Sequence, residues 1–455
     1  MPSKSYSDPE YGAILDPEEL PRQWYNIVPD LPEKLAPMLN PHTHEPMGPK
    51  DFERLFPKEL VKQQFSMESW WDIPEAVWDA YRRLPRPSPL VRAKRLEEFL
   101  KTPAKIYYKA EQFTPVGSMK PNSALPQSYY AKKQGIKLAI SETGAGQWGS
   151  ALAMSCSWFK LPARIYMVRV SSQQKPGRRI LMETFGSEVF ESPSGNTKIG
   201  RKFLAENPNH PGSLGVAISE AIEDTFATEG SRYLLASAFN YALGHQTIIG
   251  LETKKQFELL DEVPDVMCGC IGGGSNFSGF IYPFVREKLR RKSDTEFMAC
   301  EPTAVPSTTR GEFTYDFADT AEQTPLVKMY TVGHTFANPP IHAGGLRYHG
   351  KAPSLSLLIY KKVVKSTSFA QTKVFEAAKI FAQTEGVIAA PESAHGLRYA
   401  IDEAVRCKRR NENKIIVFNN CGHGLLDLSA YDEYNKGKLI DWAPEGISVP
   451  QYVKS

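Results

Sequence analysis

Two short segments hold the residue types from which chemistry could be built. Lys120 follows a strand-like run, KIYYK at 105–109, and a loop, EQFTPVGS at 111–118, and it stands where a helical pattern begins. A lysine so placed can be stripped of water, and a desolvated amine is a nucleophile toward carbonyl carbon. Far downstream, Gly272, Gly273, Gly274, Ser275 and Asn276 follow the apolar run VMCGCI and open a second helical pattern. Successive N–H groups at a helix start form a nest for phosphate. Three consecutive glycines cost backbone entropy and pack nothing, which favours close approach of a ligand over a plain turn.

An aldehyde-reactive amine and a phosphate nest are together what pyridoxal phosphate asks of a protein. A competing signal lies between them: Gly144, Gly146 and Gly149 make a literal G-x-G-x-x-G after a strand and before a helix, the dinucleotide fingerprint. That fingerprint needs an acid about 20 residues further on, and MVRVSSQQKPGRR stands there instead. Arg169 could meet a 2′-phosphate, so an NADP oxidoreductase stays open as an alternative. The loop, though, begins Glu142-Thr143, and two polar residues entering a glycine loop suit a carboxylate cradle with an acid beside it. The GGGSN loop lacks the lysine and the spacing of a Walker A motif. His334, His342 and His349 lie in an irregular segment without H-E-x-x-H or zinc-ligand spacing, so structural or substrate-lining roles are expected and no metal site. Cys268 and Cys270 sit two apart in an apolar run and read as buried core. No G-x-S-x-G elbow nominates a serine nucleophile.

The elements that must position these groups alternate. Strands are expected at 105–109, 137–141, 163–170, 233–237, 266–271, 296–301 and 414–420, and helices at 120–134, 147–159, 178–185, 245–260, 277–290, 371–383 and 394–406. Strands separated by helices predict parallel βαβ units. Two α/β domains with a cleft between them are the economical arrangement: 96–245 carrying Lys120 and the carboxylate loop, and 246–455 carrying the phosphate loop. Residues 1–95 are proline-rich, with a short amphipathic helix near 73–83, and read as an extension wrapping the core. The segment 301–351 shows no strong period and is long for a connector, which points to function.

With 455 residues, 41% hydrophobic and 23% charged, the chain is an ordinary globular protein. A net charge of +4 leaves no electrostatic footprint for nucleic acid or an acidic membrane, so small molecules are the expected partners. The N-terminus has no apolar signal region and the six cysteines follow no disulfide spacing, which predicts a reducing cytoplasm. Residues 266–285 carry no charge, yet five glycines, two serines, an asparagine and a proline there read as strand, turn and helix rather than a membrane span.

Taken together, EQFTPVGSMKPNSA, SETGAGQWG, KPGRRILMETFGSEV, HPGSLGVAISEAIED, CIGGGSNFSG, IHAGGLRYHG, TEGVIAAPESAH and FNNCGHG resemble the tryptophan synthase β-subunit, in its second, divergent type with a long N-terminal extension. The resemblance spans about residues 20 to 430. It implies the fold-type II architecture of pyridoxal phosphate enzymes: two α/β domains, the cofactor in the cleft, and a homodimer. The implied reaction is a β-replacement joining L-serine, or O-phosphoserine, to indole. By the same resemblance Lys120 is the Schiff-base lysine and Cα proton shuttle. Glu142 is the acid that assists departure of the β-substituent and then deprotonation of indole. Thr143, Gly144, Ala145, Gly146 and Gln147 hold the substrate carboxylate. Gly272, Gly273, Gly274, Ser275 and Asn276 hold the cofactor phosphate, Glu392 lies near its ring, and Asn122 touches it. A monovalent cation is implied as well, while association with an α-subunit is left open.

Three positions depart from the family pattern. Met119 stands where a histidine is usual, Cys421 replaces a serine facing the pyridine nitrogen, and Thr335 stands where an aspartate meeting the substrate hydroxyl is expected. Pro121 also replaces an apolar residue, at little cost near a helix start. A thiol is a weak donor and acceptor, so Cys421 still matches an unprotonated ring nitrogen. These changes leave alternatives: a relative with another donor or nucleophile, a β-elimination enzyme releasing ammonia and pyruvate, or a non-catalytic scaffold. Arg347 and Arg169 are the candidate partners for a donor phosphate. Retention of both Lys120 and Glu142 argues against a scaffold.

Overall fold

Apolar strand runs separated by helices close into two sheets in the computed structural model, which describes residues 5–453. The larger sheet has eight strands, in the order Tyr6–Asp8, Gly12–Ile14, Leu90–Arg92, Lys105–Ala110, Ile415–Asn420, Val266–Cys270, Glu296–Pro302 and Lys365–Phe369. From Lys105–Ala110 onward the pairing is parallel, whereas the three N-terminal strands join antiparallel. The smaller sheet has four parallel strands, ordered Ser231–Tyr233, Leu138–Thr143, Ala163–Val168 and Glu188–Ser192. Parallel strands are covered on both faces, which is why Val266–Cys270 is apolar and buried throughout.

The parallel alternation appears as expected, with several boundaries redrawn. The sheets do not divide at residues 95 and 245: the strand Lys105–Ala110 belongs to the larger sheet, so the chain leaves that sheet for the smaller one and later returns. The N-terminal extension does more than wrap, since it supplies three strands to the larger sheet. The strand expected at 233–237 ends at Tyr233, freeing Ala236 and Ser237 to line a cavity. The helix expected at 245–260 is two, Asn240–Gln246 and Ile248–Leu259. They break at Thr247, whose hydroxyl donates to the Gly244 carbonyl at 2.6 Å and accepts the Tyr25 N–H at 2.8 Å. The strand at 163–170 stops at Val168, where the helix Arg169–Gln174 begins. Within 301–351 lies an antiparallel hairpin, Glu312–Phe317 with Leu326–Thr331. The helices Lys198–Glu206, Leu214–Ala227 and Pro353–Tyr360 and the strands Glu188–Ser192 and Lys365–Phe369 were not anticipated.

The uncharged stretch at 266–285 is divided between the strand Val266–Cys270 and the helix Ser275–Leu289. Among the described residues no helix is long and apolar enough to cross a membrane.

Open α/β sheets bind ligands beyond the carboxyl ends of their strands. Here four such ends converge from two sheets. Glu142 and Thr143 end one strand, Cys421 follows another, Gly272 follows a third, and the loop after Lys105–Ala110 leads to Lys120. All of these residues line one cleft.

Candidate active site

Lys120 occupies the N-cap position of the helix Pro121–Lys133, where Pro121 costs no hydrogen bond. Among the described residues its Nζ donates only to the Ala236 carbonyl, at 3.4 Å. Burial in the cavity wall lowers the ammonium's pKa to about 8, so a fraction of the amine is neutral near physiological pH. Glu142 faces the same cavity from the end of Leu138–Thr143 and is 2% exposed. Burial raises its carboxyl to about 7, against the opposing hydrogen bond it accepts from the Tyr233 hydroxyl. An amine that is partly neutral and an acid that is partly protonated at one pH can pass protons in either direction.

The glycine loop that follows Glu142 is built for backbone donors. Gly146 caps the helix Gln147–Trp158 with φ +90°, a left-handed conformation that favours glycine, and an added Cβ would lie 2.6 Å from Cβ of Arg178. The Thr143 hydroxyl accepts from the Gly146 and Gly149 N–H groups at 3.2 and 3.1 Å. The remaining early amides of the helix have no intrahelical acceptor, as at any helix start, and suit a carboxylate. Across the cleft Gly274 caps the helix Ser275–Leu289 at φ +112°. An added Cβ would come within 2.3 Å of the Gly345 carbonyl at Gly272 and within 2.2 Å of Ser237 Oγ at Gly273. Beneath this cradle the Asn276 amide donates to the Cys270 carbonyl at 3.2 Å and its oxygen accepts from Asn419 at 2.7 Å.

Glu392 Oε1 accepts from the Gly345 N–H at 2.9 Å, while its buried Oε2 has no hydrogen-bond partner among the described residues. Burial pushes this carboxyl up, but the Lys175 ammonium and backbone amides outweigh it and hold the carboxyl below its ordinary value. Cys421 Sγ lies 3.1 Å from Ser393 Oγ and 3.6 Å from Cys270 Sγ. Cys270, expected as core alone, is thus both buried and part of the cavity wall. Ser393 and Tyr233 were missed. Ser393 had a signal in its place next to Glu392, but Tyr233 and Glu142 are 91 residues apart.

Of the residues expected in the site, Lys120, Glu142, Thr143, Gly144, Ala145, Gln147, Gly272, Gly273, Gly274, Ser275, Asn276, Glu392 and Cys421 line the cavity. Gly146 lies just behind it, against Arg178. Asn122 turns away, its amide bonded to Glu111 at 3.0 Å and Gln246 at 3.1 Å and its oxygen to Arg86 at 2.7 Å. Thr335 is exposed and stands outside the cavity, because the segment after the hairpin carries it to the surface. Arg169 donates to the carbonyls of Pro193, Pro208 and His210. Met119 is buried, its sulfur 3.9 Å from the Gln246 amide. The three histidines go to separate partners: His334 to Asp316 at 2.8 Å, His342 to Glu433 at 2.8 Å and His349 to the Phe317 carbonyl at 2.8 Å.

Comparison with known proteins gives the family. A family model described as "Pyridoxal-phosphate dependent enzyme" matches residues 81–422. "Tryptophan synthase beta chain 2" of Pyrococcus furiosus is 55% identical over 437 residues, covering 96% of this chain and 98% of that one. The protein of the same name from Aquifex aeolicus is 54% identical over 431 residues, covering 94% and 99%. The chain belongs to the tryptophan synthase β-chain family of pyridoxal phosphate enzymes. Solved structures share the fold at low identity. An L-serine ammonia-lyase from Rhizomucor miehei has TM-score 0.56 at 16% identity, covering 77% of this chain and 98% of that one. Threonine deaminase isoform 2 from Solanum lycopersicum has TM-score 0.58 at 16% identity, covering 96% and 98%. The family's cofactor fits the cleft: a nearly unpartnered amine, a side-chain-free cradle at a helix N-terminus, and an orphaned buried carboxylate oxygen face one space.

Proposed function

We propose that the protein joins L-serine or O-phosphoserine to indole to give L-tryptophan. The observation that carries this reading is the placement of Glu142 between two spaces. On one side is the cleft with Lys120. On the other is an apolar cavity walled by Phe52, Phe56, Leu214, Ile218, Tyr233 and Phe239, suited to a flat aromatic acceptor. Pyridoxal phosphate, when bound, supplies the electron sink for a carbanion at the amino acid's Cα. Lys120 would hold the cofactor covalently, then release it, take the Cα proton and return it. The cradle at 272–276 would hold the phosphate through its N–H groups, and the loop at 143–147 the substrate carboxylate. Glu142 would protonate the departing β-substituent and afterwards accept the indole N–H proton, two roles that match a carboxyl with a pKa of about 7.

A specific feature supports the phosphorylated donor. Arg347 is buried beside Gly144, donates to Ser171 Oγ, and has no carboxylate in ion-pair contact among the described residues. Burial lowers its pKa to about 10, so it remains a cation available to an anion. A homodimer in the cytoplasm, with or without an α-subunit, completes the reading. The test supplies pyridoxal phosphate and indole with L-serine or O-phosphoserine and measures tryptophan and pyruvate. Tryptophan from either donor supports the proposal and names the donor. Pyruvate without tryptophan would replace it with a β-elimination.

A further inference from the structure

Among the buried charges that the mechanism does not use, Lys351 is distinctive. It is fully buried, with 0% exposure, and follows the cavity-lining residues Gly344, Gly345, Leu346 and Tyr348. Among the described residues its ammonium has three polar partners, all oxygen: Ser307 Oγ at 3.2 Å, the Tyr348 carbonyl at 3.3 Å and Glu301 Oε2 at 4.0 Å. The Ser307 hydroxyl proton is committed to the His349 carbonyl at 2.7 Å, so the oxygen's lone pairs are left for Lys351. Glu301 in turn is fixed by the N–H groups of Thr308 and Thr309 at 3.0 and 2.9 Å. Next to Lys351, the Ala352 N–H donates to the Gly273 carbonyl at 2.8 Å, which ties this segment to the phosphate cradle.

A carbonyl, a hydroxyl and a carboxylate around one positive centre form a hard oxygen shell, the kind that holds hard metal cations. A lysine ammonium is a compact point charge that can fill such a shell. Burying it is costly, and an apolar side chain of similar volume would often serve stability as well. Burial lowers its pKa to about 8, with Glu301 opposing, so it stays predominantly charged at neutral pH.

We infer that Lys351 is a built-in monovalent cation, holding the Tyr348 wall and the Gly273 cradle in their binding form, so that the chain needs no free K+, Na+ or NH4+. Lys351 is on this reading a positioning residue, and the cation implied by the family resemblance is here carried by the chain. The inference rests on the cleft being the cofactor site, and not on which donor or acceptor is used.

The test measures pyridoxal phosphate affinity by visible absorbance, and melting temperature without cofactor, in KCl, NH4Cl and tetramethylammonium chloride at equal ionic strength. Native protein is expected to give the same values in all three salts. Lys351→Ala is expected to lose about tenfold or more in cofactor affinity, in the usual range for coupled sites. KCl or NH4Cl should restore most of that affinity and raise its melting temperature, and tetramethylammonium chloride should do neither. Lys351→Met, with the space filled, should stay unrescued. Tenfold dependence of the native protein on K+ would overturn the inference, as would Lys351→Ala deaf to every cation or Lys351→Met equal to native. If Lys351→Ala does not fold, the native salt comparison decides alone. Failure to make tryptophan with normal cofactor binding would strike the proposed reaction and leave this inference standing.

Discussion

Two charge clusters flank the helix start at Lys120 in sequence and contact, and they differ in how their charges are satisfied. Behind it, Arg86 pairs with Glu111 at 2.8 Å and Glu252 at 2.9 Å, and Lys109 pairs with Glu252 at 2.8 Å. Ser88 donates to both carboxylates, and Asn122 donates to Glu111. In front of it, among the described residues, Lys120 has one carbonyl at 3.4 Å and Glu392 keeps an oxygen without a hydrogen bond. In the rear cluster all four carboxylate oxygens of Glu111 and Glu252 accept hydrogen bonds from the protein itself, with Arg86 Nη2 alone left in ion-pair contact without a hydrogen bond, and the cluster belongs to the fold. The front cluster is completed only by a ligand, and belongs to the chemistry.

The sharpest way to break this contrast is Lys120→Ala. It should abolish the visible absorbance of bound cofactor and remove activity, while the melting temperature of the cofactor-free protein stays at or above native. An unchanged spectrum would remove Lys120 from the site.

Glu142→Gln should lower kcat by about 10²- to 10⁴-fold, the usual worth of a general acid–base group. Its effect on stability should have the opposite sign. The folded state raises this carboxyl from 4.5 to about 7 and so binds a proton that the unfolded chain has already lost. Native stability therefore falls as pH rises through that window, by roughly 3 kcal/mol once pH exceeds 7. The glutamine variant escapes that cost, so cofactor-free protein should melt higher than native at pH 8 and alike near pH 4.5. A lower melting point at pH 8 would contradict the assignment.

Glu252→Ala probes the rear cluster, where two cations lose a partner at once. A loss of about 3–5 kcal/mol is expected, the cost of stranding a buried charge, and urea unfolding would measure it. Activity should follow the folded fraction, with little change in cofactor affinity per folded molecule. The smallest effect is expected from Cys421→Ser, which keeps a donor–acceptor beside Ser393. A large gain in tryptophan formation would show instead that the thiol marks altered chemistry.

What could be read from the chain follows from how far each signal reaches. Lys120, Glu142 and the triple glycine announce themselves within a few residues, and so do the buried parallel strands. The break at Thr247 was invisible because one hydroxyl, bonded to the Tyr25 N–H 222 residues away, interrupts an otherwise continuous helical pattern. The true surroundings of Asn122 were equally hidden: its neighbour Arg86 meets Glu252 across 166 residues. Its place after Lys120 pointed to the cofactor, whereas the packing points it at the rear charges. The exposed position of Thr335 was hidden for a related reason, since the hairpin that decides where it emerges has no strong period of its own.

The antiparallel strand Leu90–Arg92 covers what would otherwise be the open edge of the Lys105–Ala110 strand. The same extension delivers Arg86 to the underside of Lys120. Cutting it away at residue 95 would expose a sticky sheet border and leave Glu111 without its guanidinium. The apparent appendage is therefore a foundation: it closes the sheet edge and supplies the charge on which the floor of the cleft rests.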